Sequence, residues 1–457
     1  MNDHWAGRLR ELAAEERVPG ATLAIWTGAQ EITAAHGVLN AATGVSATPD
    51  SLFQIGSITK VWTATMIMQL VEEGRLSLDA TVAQVLPGAR LGGPGAEAEV
   101  TVQHLLTHTS GIDGDIFADT GRGSGCVRRY TEGLAEAAQV FPPGAAYSYC
   151  NSGFVLLGRI IEVLDSRGWD ESLRERLIRP LGLTRTVTLP EEAIVHRVAT
   201  GHREHPHQDQ PVSVWGLPRS VGPAGLITAS ASDVLTFARM HLDGGVTADG
   251  TRLLSPASVE AMQPPRVEMP GLGERADAVG LTWRLNRWDG ATIIGHDGGT
   301  IGQSAFLRAD PRSGVAACLL TNSAEAQGLF RRLFSEIFGE YAGVTIPAGP
   351  EPGTAPAFED AGRHAGRYER TSQRYDVSVR DGRLHVISTK TGDLAAVNDD
   401  TSEEFDLYPV DAAGVGPGDA FLCRLYDHQP WNALVFGRLG GTTRYLHLAG
   451  RITPRVG

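Results

Sequence analysis

Apolar residues recur at helical spacing in the segment that follows Gly56. They form a stripe with a period of about 3.6 residues, made up of Val61, Ala64, Ile67, Met68 and Val71, and Gly74 then supplies a stop. No charged residue follows Lys60 until Glu72. A helix that is apolar all round belongs inside a protein. The pattern therefore predicts a buried helix, central to a helical region of the fold.

The chain around this segment changes from strands to helices and back to strands. Predicted helices cover residues 5–16, 151–163, 230–242 (with Ser230 or Ser232 as its cap) and 329–338. Predicted strands cover residues 21–26 and 31–35, which form a hairpin around Gly28, and then 281–285, 291–295, 304–308 and 315–320. Because strands stand at both ends with helices between them, we expect one α/β domain over residues 1–345, its sheet closed by its own termini.

The composition and the predicted secondary structure of the chain change after this domain. Residues 346–360 contain four prolines among glycines and alanines, which indicates an extended linker. Beyond it, residues 375–379 and 384–387 flank an Asp381-Gly382 turn, the signature of a β-hairpin. Further short strands are predicted at residues 405–408, 420–426, 433–437 and 443–448. Residues 361–457 are therefore predicted to form a small antiparallel β-barrel.

Composition limits the classes of function. The chain has 457 residues, 42% of them hydrophobic and 20% charged, as in ordinary globular enzymes. A formal net charge of −13 argues against nucleic acid or an anionic membrane as a partner. The first residues lack the pattern of a secretory signal, and no apolar run is long enough to span a bilayer. The four cysteines are scattered, so we expect reduced thiols and a cytoplasmic location.

Three short motifs carry the candidate chemistry. Ser57 and Lys60 lie on one face of the predicted helix, so the lysine nitrogen can reach the serine oxygen. Tyr149-x-Asn151 follows 92 residues after Ser57, and His296-x-Gly298 follows 147 residues after Tyr149. Lysine and tyrosine both have pKa values near about 10. One of the two must therefore be shifted to take the Ser57 proton. A nearby cation favours the phenolate and burial favours the neutral amine. The sequence leaves both open.

In this order and spacing, the motifs resemble those of the serine β-lactamase and penicillin-binding-protein superfamily, and most closely class C β-lactamases, DD-peptidases and related esterases. The resemblance covers roughly residues 10–340. It implies an α/β β-lactamase/transpeptidase-like domain, in which an antiparallel sheet packs with a helical region. The C-terminal segment more loosely resembles the lipocalin-like domain appended to some esterases and peptidases of the family.

The resemblance also implies roles for the motif residues. Ser57 would form the acyl-enzyme, and Asn151 would hydrogen-bond Lys60 and the substrate amide. His296 replaces the lysine of the Lys-Thr-Gly strand of β-lactamases, which points away from β-lactam carboxylates. The N–H groups of Ser57 and Gly299 would form the oxyanion hole. Glycines at 298 and 299 would let substrate approach the backbone closely.

The sequence thus predicts a serine hydrolase or acyltransferase that acts on an ester, thioester or peptide amide, without a metal or other cofactor. The substrate would be a small-molecule or peptide acyl donor, either free or bound to a carrier. One alternative is a penicillin-binding-protein-type thioesterase that cyclises nonribosomal peptides by transfer to an amine. An alternative of another class is a non-catalytic acyl-binding sensor. All three motifs lie before Asn322, and the barrel offers only arginines such as Arg438, Arg444 and Arg451, one of which would suit a substrate carboxylate.

Overall fold

An antiparallel sheet of nine strands forms the centre of the first domain. In this computed structural model the described residues are 2–204, 207–270, 276–353, 361–396, 401–411, 415–416, 418–426, 429–441 and 443–456. The strands of the first domain are β1 (Gly20–Trp26), β2 (Glu31–Asn40), β3 (Val45–Ser46), β4 (Phe53–Gln54), β5 (Thr186–Val187), β6 (Thr228–Ala229), β7 (Val267–Glu268), β8 (Ala278–Val279), β9 (Arg284–Trp288), β10 (Ala291–Thr300), β11 (Gln303–Ala309) and β12 (Ala316–Thr321). Their order in the large sheet is β3-β2-β1-β12-β11-β10-β9-β8-β7, and β4, β6 and β5 form a small separate sheet.

The sheet is closed by the two ends of the domain, as the sequence predicts. Strand β1 pairs with β12 in an antiparallel register that runs from Ala21 opposite Thr321 to Trp26 opposite Ala316. The predicted hairpin between β1 and β2 is present, and Gly28 occupies its turn with a φ of 89°. A positive φ of this size is readily adopted by glycine.

Helices cover both faces of the large sheet. They are α1 (Asn2–Glu15), α2 (Thr59–Glu72), α3 (Val82–Val85), α4 (Ala96–Glu99), α5 (Val102–Leu106), α6 (Cys126–Gly133), α7 (Asn151–Asp165), α8 (Trp169–Leu173), α9 (Pro190–Ala193), α10 (Gly222–Gly225), α11 (Ala231–Leu242), α12 (Pro256–Ala261) and α13 (Gln327–Ala342). Helices α1 and α13 build one hydrophobic core against the sheet, and α2, α7 and α11 belong to a second, larger core.

Helix α2 has the buried position that its apolar stripe predicts. Every residue from Thr59 to Leu70 is buried, because α7, α8 and α10 pack around it. Helix α11 settles the choice of cap: the Ser230 hydroxyl accepts the N–H of Asp233. Such a cap satisfies an N–H group that has no partner within the helix.

One predicted strand, over residues 281–285, is wrong in its position. The strand begins only at Arg284 and continues to Trp288. Residues before it form a tight turn, in which the N–H of Thr282 bonds to the carbonyl of Gly280 and Thr282 has a φ of 78°. A β-branched residue at positive φ is rare, so the sequence contains no pattern that predicts this turn.

The second domain is a nearly closed barrel of nine antiparallel strands, β13 (Gly366–Arg370), β14 (Gln373–Arg380), β15 (Arg383–Lys390), β16 (Ser402–Asp406), β17 (Tyr408–Pro409), β18 (Ala420–Cys423), β19 (Asn432–Leu439), β20 (Thr443–Leu448) and β21 (Arg451–Val456), with a short helix α14 (Gly392–Ala396). Their order is β16-β15-β14-β13-β21-β20-β19-β18-β17. The Asp381-Gly382 turn joins β14 to β15 with positive φ at both residues, as a type I′ hairpin requires.

The linker between the domains is described only in part. Residues 346–353 form neither helix nor strand, and residues 354–360 of the predicted linker lie outside the described residues. Within the described ranges, none of the helices combines the length and the apolar character needed to cross a bilayer.

Candidate active site

Ser57 lies in one turn of 3-10 helix, Gly56–Ile58, that leads directly into α2. Gly56 has a φ of 50°, and a Cβ at this position would lie 2.7 Å from the backbone nitrogen of Gly299. Only glycine therefore allows this turn to press against strand β10. The contact places the Ser57 hydroxyl at the wall of a cleft, beside the end of the central sheet.

Lys60 approaches Ser57 from within the core. Its Nζ lies 3.0 Å from the Ser57 Oγ and donates a hydrogen bond of 2.7 Å to the carbonyl of Ala224. Burial lowers the pKa of Lys60 well below its usual value, and the cations of Arg451 and Arg284 lower it further against the opposing charge of Asp115. This environment favours the neutral amine, which can accept the Ser57 proton.

Tyr149 lies on the other side of Lys60, whose Nζ is 4.9 Å from the centre of the ring. The Tyr149 hydroxyl is buried and lacks a hydrogen-bond partner of standard geometry among the described residues. Burial raises the pKa of Tyr149, and Arg284 and the nearby Ser57 hydroxyl oppose the rise. Tyr149 is thus a neutral phenol. Of the two bases that the sequence leaves open, the environment favours the Lys60 amine.

His108 fixes the Tyr149 ring. Its imidazole stacks on that ring with 4.3 Å between the ring centres, and its Nδ1 accepts the N–H of Cys150. Burial lowers the pKa of His108 well below its usual value, and the cations of Arg284 and Arg451 act in the same direction. The neutral ring keeps Nδ1 available as an acceptor. The sequence pattern around His108 gave no sign of this contact.

Asn151 begins helix α7 and lines the cleft. Its Nδ2 donates a hydrogen bond of 2.7 Å to the Oδ1 of Asp115. The expected hydrogen bond to Lys60 is wrong for this structure, because the Lys60 nitrogen contacts Ser57 and the Ala224 carbonyl instead. A buried carboxylate is a stronger acceptor for the amide than a neutral amine.

His296 lies on β10 and is completely buried. Its Nδ1 lies 2.6 Å from the carbonyl of Asp297, which can only accept, so Nδ1 carries the proton and Nε2 is a bare acceptor in the neutral ring. Burial lowers the pKa of His296 well below its usual value, and the cation of Arg284 lowers it further. The side chain that reaches the cleft is its neighbour Asp297, which pairs with Arg284 at 2.9 Å and Arg308 at 2.7 Å.

The two glycines of this strand serve different purposes. A Cβ on Gly298 would lie 1.9 Å from the carbonyl oxygen of Ile55, so this glycine allows the strand to pack against the Ser57 turn. Gly298 also lines the cleft, and the approach of substrate to its backbone stays a prediction. A Cβ on Gly299 would meet nothing within 4 Å. The Gly299 backbone nitrogen faces Gly56, which leaves its N–H next to Ser57.

The barrel contributes directly to this site. The carbonyl of Gly450 accepts the N–H of Tyr149, and the guanidinium of Arg451 lies 4.7 Å from the centre of the Tyr149 ring. Arg451 and Arg370 both bind the buried carboxylate of Asp115, at 2.7 and 2.8 Å. Asp115 thus joins two arginines of the barrel to Asn151. Sequence reasoning missed Asp115, since the two arginines that bind it are more than 250 residues away along the chain.

The cleft has a volume of about 1050 Å³ and runs between the two domains. Phe117, Leu217 and Val221 form an apolar wall near Ser57, and the barrel contributes Arg451 and Trp431. Among the predicted site residues, Ser57, Tyr149, Asn151, Gly298 and Gly299 line the cleft. Lys60 and His296 lie behind this surface, fully buried.

Comparison with known proteins supports the geometry. The family model described as Beta-lactamase matches residues 5–338. The chain belongs to this family. It is 47% identical over 373 residues to penicillin-binding protein 4 of Amycolatopsis lactamdurans, which covers 80% of this chain and 97% of that protein. The family and the α/β fold predicted from the three motifs are confirmed, and the chain is a serine hydrolase or acyltransferase.

Two solved structures extend the likeness to the whole chain. The crystal structure of SurE matches with a TM-score of 0.78 and 29% identity, and covers 100% of this chain and 99% of SurE. The crystal structure of SurE with D-Leu matches with a TM-score of 0.75 and 28% identity over the same shares. A D-stereospecific amidohydrolase from Streptomyces sp. matches 73% of this chain and 98% of its own, with a TM-score of 0.57 and 25% identity.

Proposed function

We propose that Ser57 is the nucleophile, that neutral Lys60 is its base and that the enzyme forms an acyl-enzyme on Ser57. The observation that carries this proposal is the distance of 3.0 Å between the Lys60 Nζ and the Ser57 Oγ at the wall of an open cleft. The amine takes the Ser57 proton as the oxygen attacks the donor carbonyl. The resulting ammonium then returns this proton to the leaving group, directly or through the Tyr149 hydroxyl.

The N–H groups of Ser57 and Gly299 stabilise the oxyanion in this proposal. The Gly299 nitrogen lies against the Ser57 turn, and the space beyond Gly299 is open to a substrate. A donor of this kind contributes roughly 3–4 kcal/mol to the transition state. Asn151, held by Asp115, binds the amide of the acyl donor from the opposite wall. The Tyr149-x-Asn151 and His296-x-Gly298 motifs support a place beside the class C enzymes within the family.

The acyl donor, we infer, is a peptide whose last residue has the D configuration. SurE has been solved with D-Leu, and another relative is a D-stereospecific amidohydrolase. A choice between D and L residues needs contacts with more than one substituent of the α-carbon beside the reacting carbonyl. The cleft offers the apolar wall of Phe117 and Leu217 and the polar side of Asp297 and Asn151. The donor is a thioester or ester, and a carrier-bound thioester fits the open cleft.

A second candidate function is transfer of the acyl group to an amine of the same peptide, which gives a cyclic product. The size of the cleft favours it: about 1050 Å³ is at the upper end for small-molecule sites and leaves room for a peptide that folds back. The likeness to SurE also includes the barrel that forms one wall.

The four cysteines are all free and buried, which agrees with a reducing, cytoplasmic setting.

One assay tests these proposals together. Peptidyl N-acetylcysteamine thioesters that end in D-Leu or L-Leu are compared, and the linear and cyclic products are measured by mass spectrometry. We expect turnover of the D-Leu donor at least about tenfold faster than of the L-Leu donor, the low end of pocket-based discrimination. Equal rates would refute the D preference. The absence of cyclic product would leave hydrolysis as the function.

The nucleophile is tested separately with Ser57→Ala. Removal of the nucleophile from a coupled catalytic unit costs on the order of 10⁶ in turnover. Trapped donor on the wild-type enzyme should give a mass shift on the peptide that contains Ser57. A mass shift on another peptide, or near-normal turnover in the variant, would contradict the assignment.

A further inference from the structure

Arg331 differs from Arg284 and Arg451, which also line the cleft. Arg284 pairs with Asp297, and Arg451 pairs with Asp115. Arg331 also lines the cleft, yet within the described residues no carboxylate forms an ion pair with it. Its hydrogen bond runs from Nη2 to the carbonyl of Pro347. A guanidinium carries five N–H donors, so most of its hydrogen-bonding capacity faces the cleft or solvent.

The surroundings of Arg331 make this lack of a counter-charge significant. The side chain is half-buried, and burial lowers the pKa of Arg331 with no charged neighbour to oppose the effect. A cation that loses hydration without an ion-pair partner is held at a cost in free energy. The chain as a whole has a net charge of −13. Among the residues that the structure describes, Arg331 thus has no ion-pair partner, and a bound anion would supply one.

Arg331 also lies away from the reacting centre. It belongs to α13, which packs with Phe306 in the core on one face of the sheet, whereas α2 and its lysine belong to the core on the other face. Three parts of the chain meet at this branch of the cleft: α13, the linker at Gly349, and the barrel loop at Trp431. A group bound here is remote from the carbonyl at Ser57.

We propose that Arg331 binds an anionic group, a phosphate or a carboxylate, carried by the acyl donor at a distance from the scissile carbonyl. The planar guanidinium matches both anions with two parallel hydrogen bonds. The phosphate would come from a pantetheine leaving arm, and the carboxylate from an acidic side chain of the peptide. This proposal rests on the proposed function, since it takes the acyl donor as its ligand.

The test uses the full chain and three thioesters of one D-Leu-ended peptide. One is the neutral N-acetylcysteamine thioester, one is the 4′-phosphopantetheine thioester, and one is an N-acetylcysteamine thioester whose peptide contains a glutamate. Kinetic constants are compared for Arg331→Gln, Arg331→Lys and the control Arg332→Gln. Arg332 is the next residue of the helix and is partly exposed, where it pairs with Glu15.

We expect Arg331→Gln to raise KM at least about tenfold for an anionic donor and to leave the neutral donor unchanged. The donor that responds identifies the anion, and a response of both shows a shared site. Arg331→Lys should recover part of the loss, and Arg332→Gln should behave as the wild type. Equal losses with all three donors would overturn the proposal. Arg331 would then have only a structural role, through its hydrogen bond to the linker. No loss with either anionic donor would overturn it as well.

A binding measurement keeps this test separate from the proposed function. Calorimetric titration of 4′-phosphopantetheine and of a glutamate-containing peptide is performed on Ser57→Ala with and without Arg331→Gln. Binding that depends on Arg331 would support the anion site even if none of the thioesters is turned over, whereas that failure of turnover would refute the proposed function. Binding of neither ligand, or binding indifferent to Arg331, would refute the anion site.

Discussion

Lys60 would be an ammonium in water and is an amine in this protein because burial removes the hydration of its charge. The same burial keeps Tyr149 protonated. One environment thus shifts two groups of similar intrinsic pKa in opposite directions, which separates a base from a proton donor. Ser57, 3.0 Å from the amine, is placed to use the difference.

The first prediction concerns this pair. Lys60→Ala and Tyr149→Phe should each reduce kcat/KM by at least about 100-fold, the range of general acid–base catalysis. The double variant should lose much less than the product of the two losses, because both residues act in one proton transfer. Tyr130→Phe is the control, since this buried tyrosine bonds to Ser152 and the Ile116 carbonyl. Multiplicative losses in the double variant would show that the two residues act independently.

The second prediction concerns His296. The buried, neutral imidazole provides no cation for the carboxylate of a β-lactam. A charged hydrogen-bond partner contributes about 1.5–3 kcal/mol, so nitrocefin should be turned over roughly 10- to 100-fold more slowly than a good ester. Steady-state rates of the two substrates check this. Nitrocefin hydrolysis as fast as that of the ester would contradict the proposed role of the histidine substitution.

At the scale of elements, the close contact between the Ser57 turn and β10 forms the site. Gly56 and Gly298 face each other's backbones, so the turn and the strand approach more closely than side chains would permit. Strand β10 continues beyond the end of its pairing with β9 at Gly295. Residues 296–300 therefore have an edge without a partner strand, and the turn occupies it.

The third prediction separates the two neighbouring glycines. Gly298→Ala should lower the free energy of unfolding by about 1–3 kcal/mol or more, because its Cβ would overlap the Ile55 carbonyl. It should also reduce activity, since relief of the overlap moves Ser57 away from Gly299. Gly299→Ala is the matched control and should retain stability, since its Cβ points into open space. Denaturant unfolding of both variants gives the comparison. Equal stabilities would show that the contact tolerates a methyl group.

At the scale of the whole molecule, the barrel is part of the catalytic centre. Its Arg370 and Arg451 donate hydrogen bonds to the Asp115 carboxylate, and the N–H of its Thr371 donates one to Asp113. The sequence predicts no more from the barrel than an arginine, such as Arg438, Arg444 or Arg451, for a substrate carboxylate. The contacts revise that expectation. Without the barrel, Asn151 would lose the support of a fixed Asp115.

The fourth prediction tests this dependence through pH. The cation of Arg451 lowers the pKa of Lys60, so Arg451→Gln should raise it. Catalysis needs the neutral amine, and the rise of kcat/KM with pH should therefore move to higher pH in this variant. Arg451→Lys should stay close to the wild type. Arg367→Gln, an exposed barrel arginine that pairs with Asp376, is the control. An unchanged pH profile in Arg451→Gln would show that the barrel charge does not reach the base.

The fifth prediction removes the barrel. A chain that ends at Gly349 should cleave p-nitrophenyl esters at least about 100-fold more slowly, the cost of a displacement of about 1 Å in a catalytic group. The Tyr149 N–H loses its partner at Gly450, so this displacement is expected at Tyr149 and Asn151. Circular dichroism verifies that the shortened chain is folded. Full activity on the small ester would restore the view that the barrel affects only long substrates.

The sequence by itself determined the family and the order of the elements, and it predicts the nucleophile. These follow from local patterns: the spacing of Ser57 and Lys60 on one helix, an uncharged helical stripe, and an Asp381-Gly382 turn between two strands. Each is fixed by residues a few positions apart, so a reader of the sequence can recognise it. The predicted boundaries of helices and strands agree with the structure where a cap or a turn residue marks them. The predicted strand at Thr282 is wrong, because packing imposes a rare backbone conformation there.

Only the tertiary structure decided how these residues are charged and supported. Lys60 is neutral because surrounding helices exclude water, and two distant arginines act on it through space. Asn151 turns to Asp115 because the barrel holds that carboxylate from the other end of the chain. Arg331 is half-buried in the cleft, without an ion-pair partner in the described part of the chain, because of what the fold brings near it. Solvation and long-range electrostatics depend on residues far apart in sequence, and no local pattern records them.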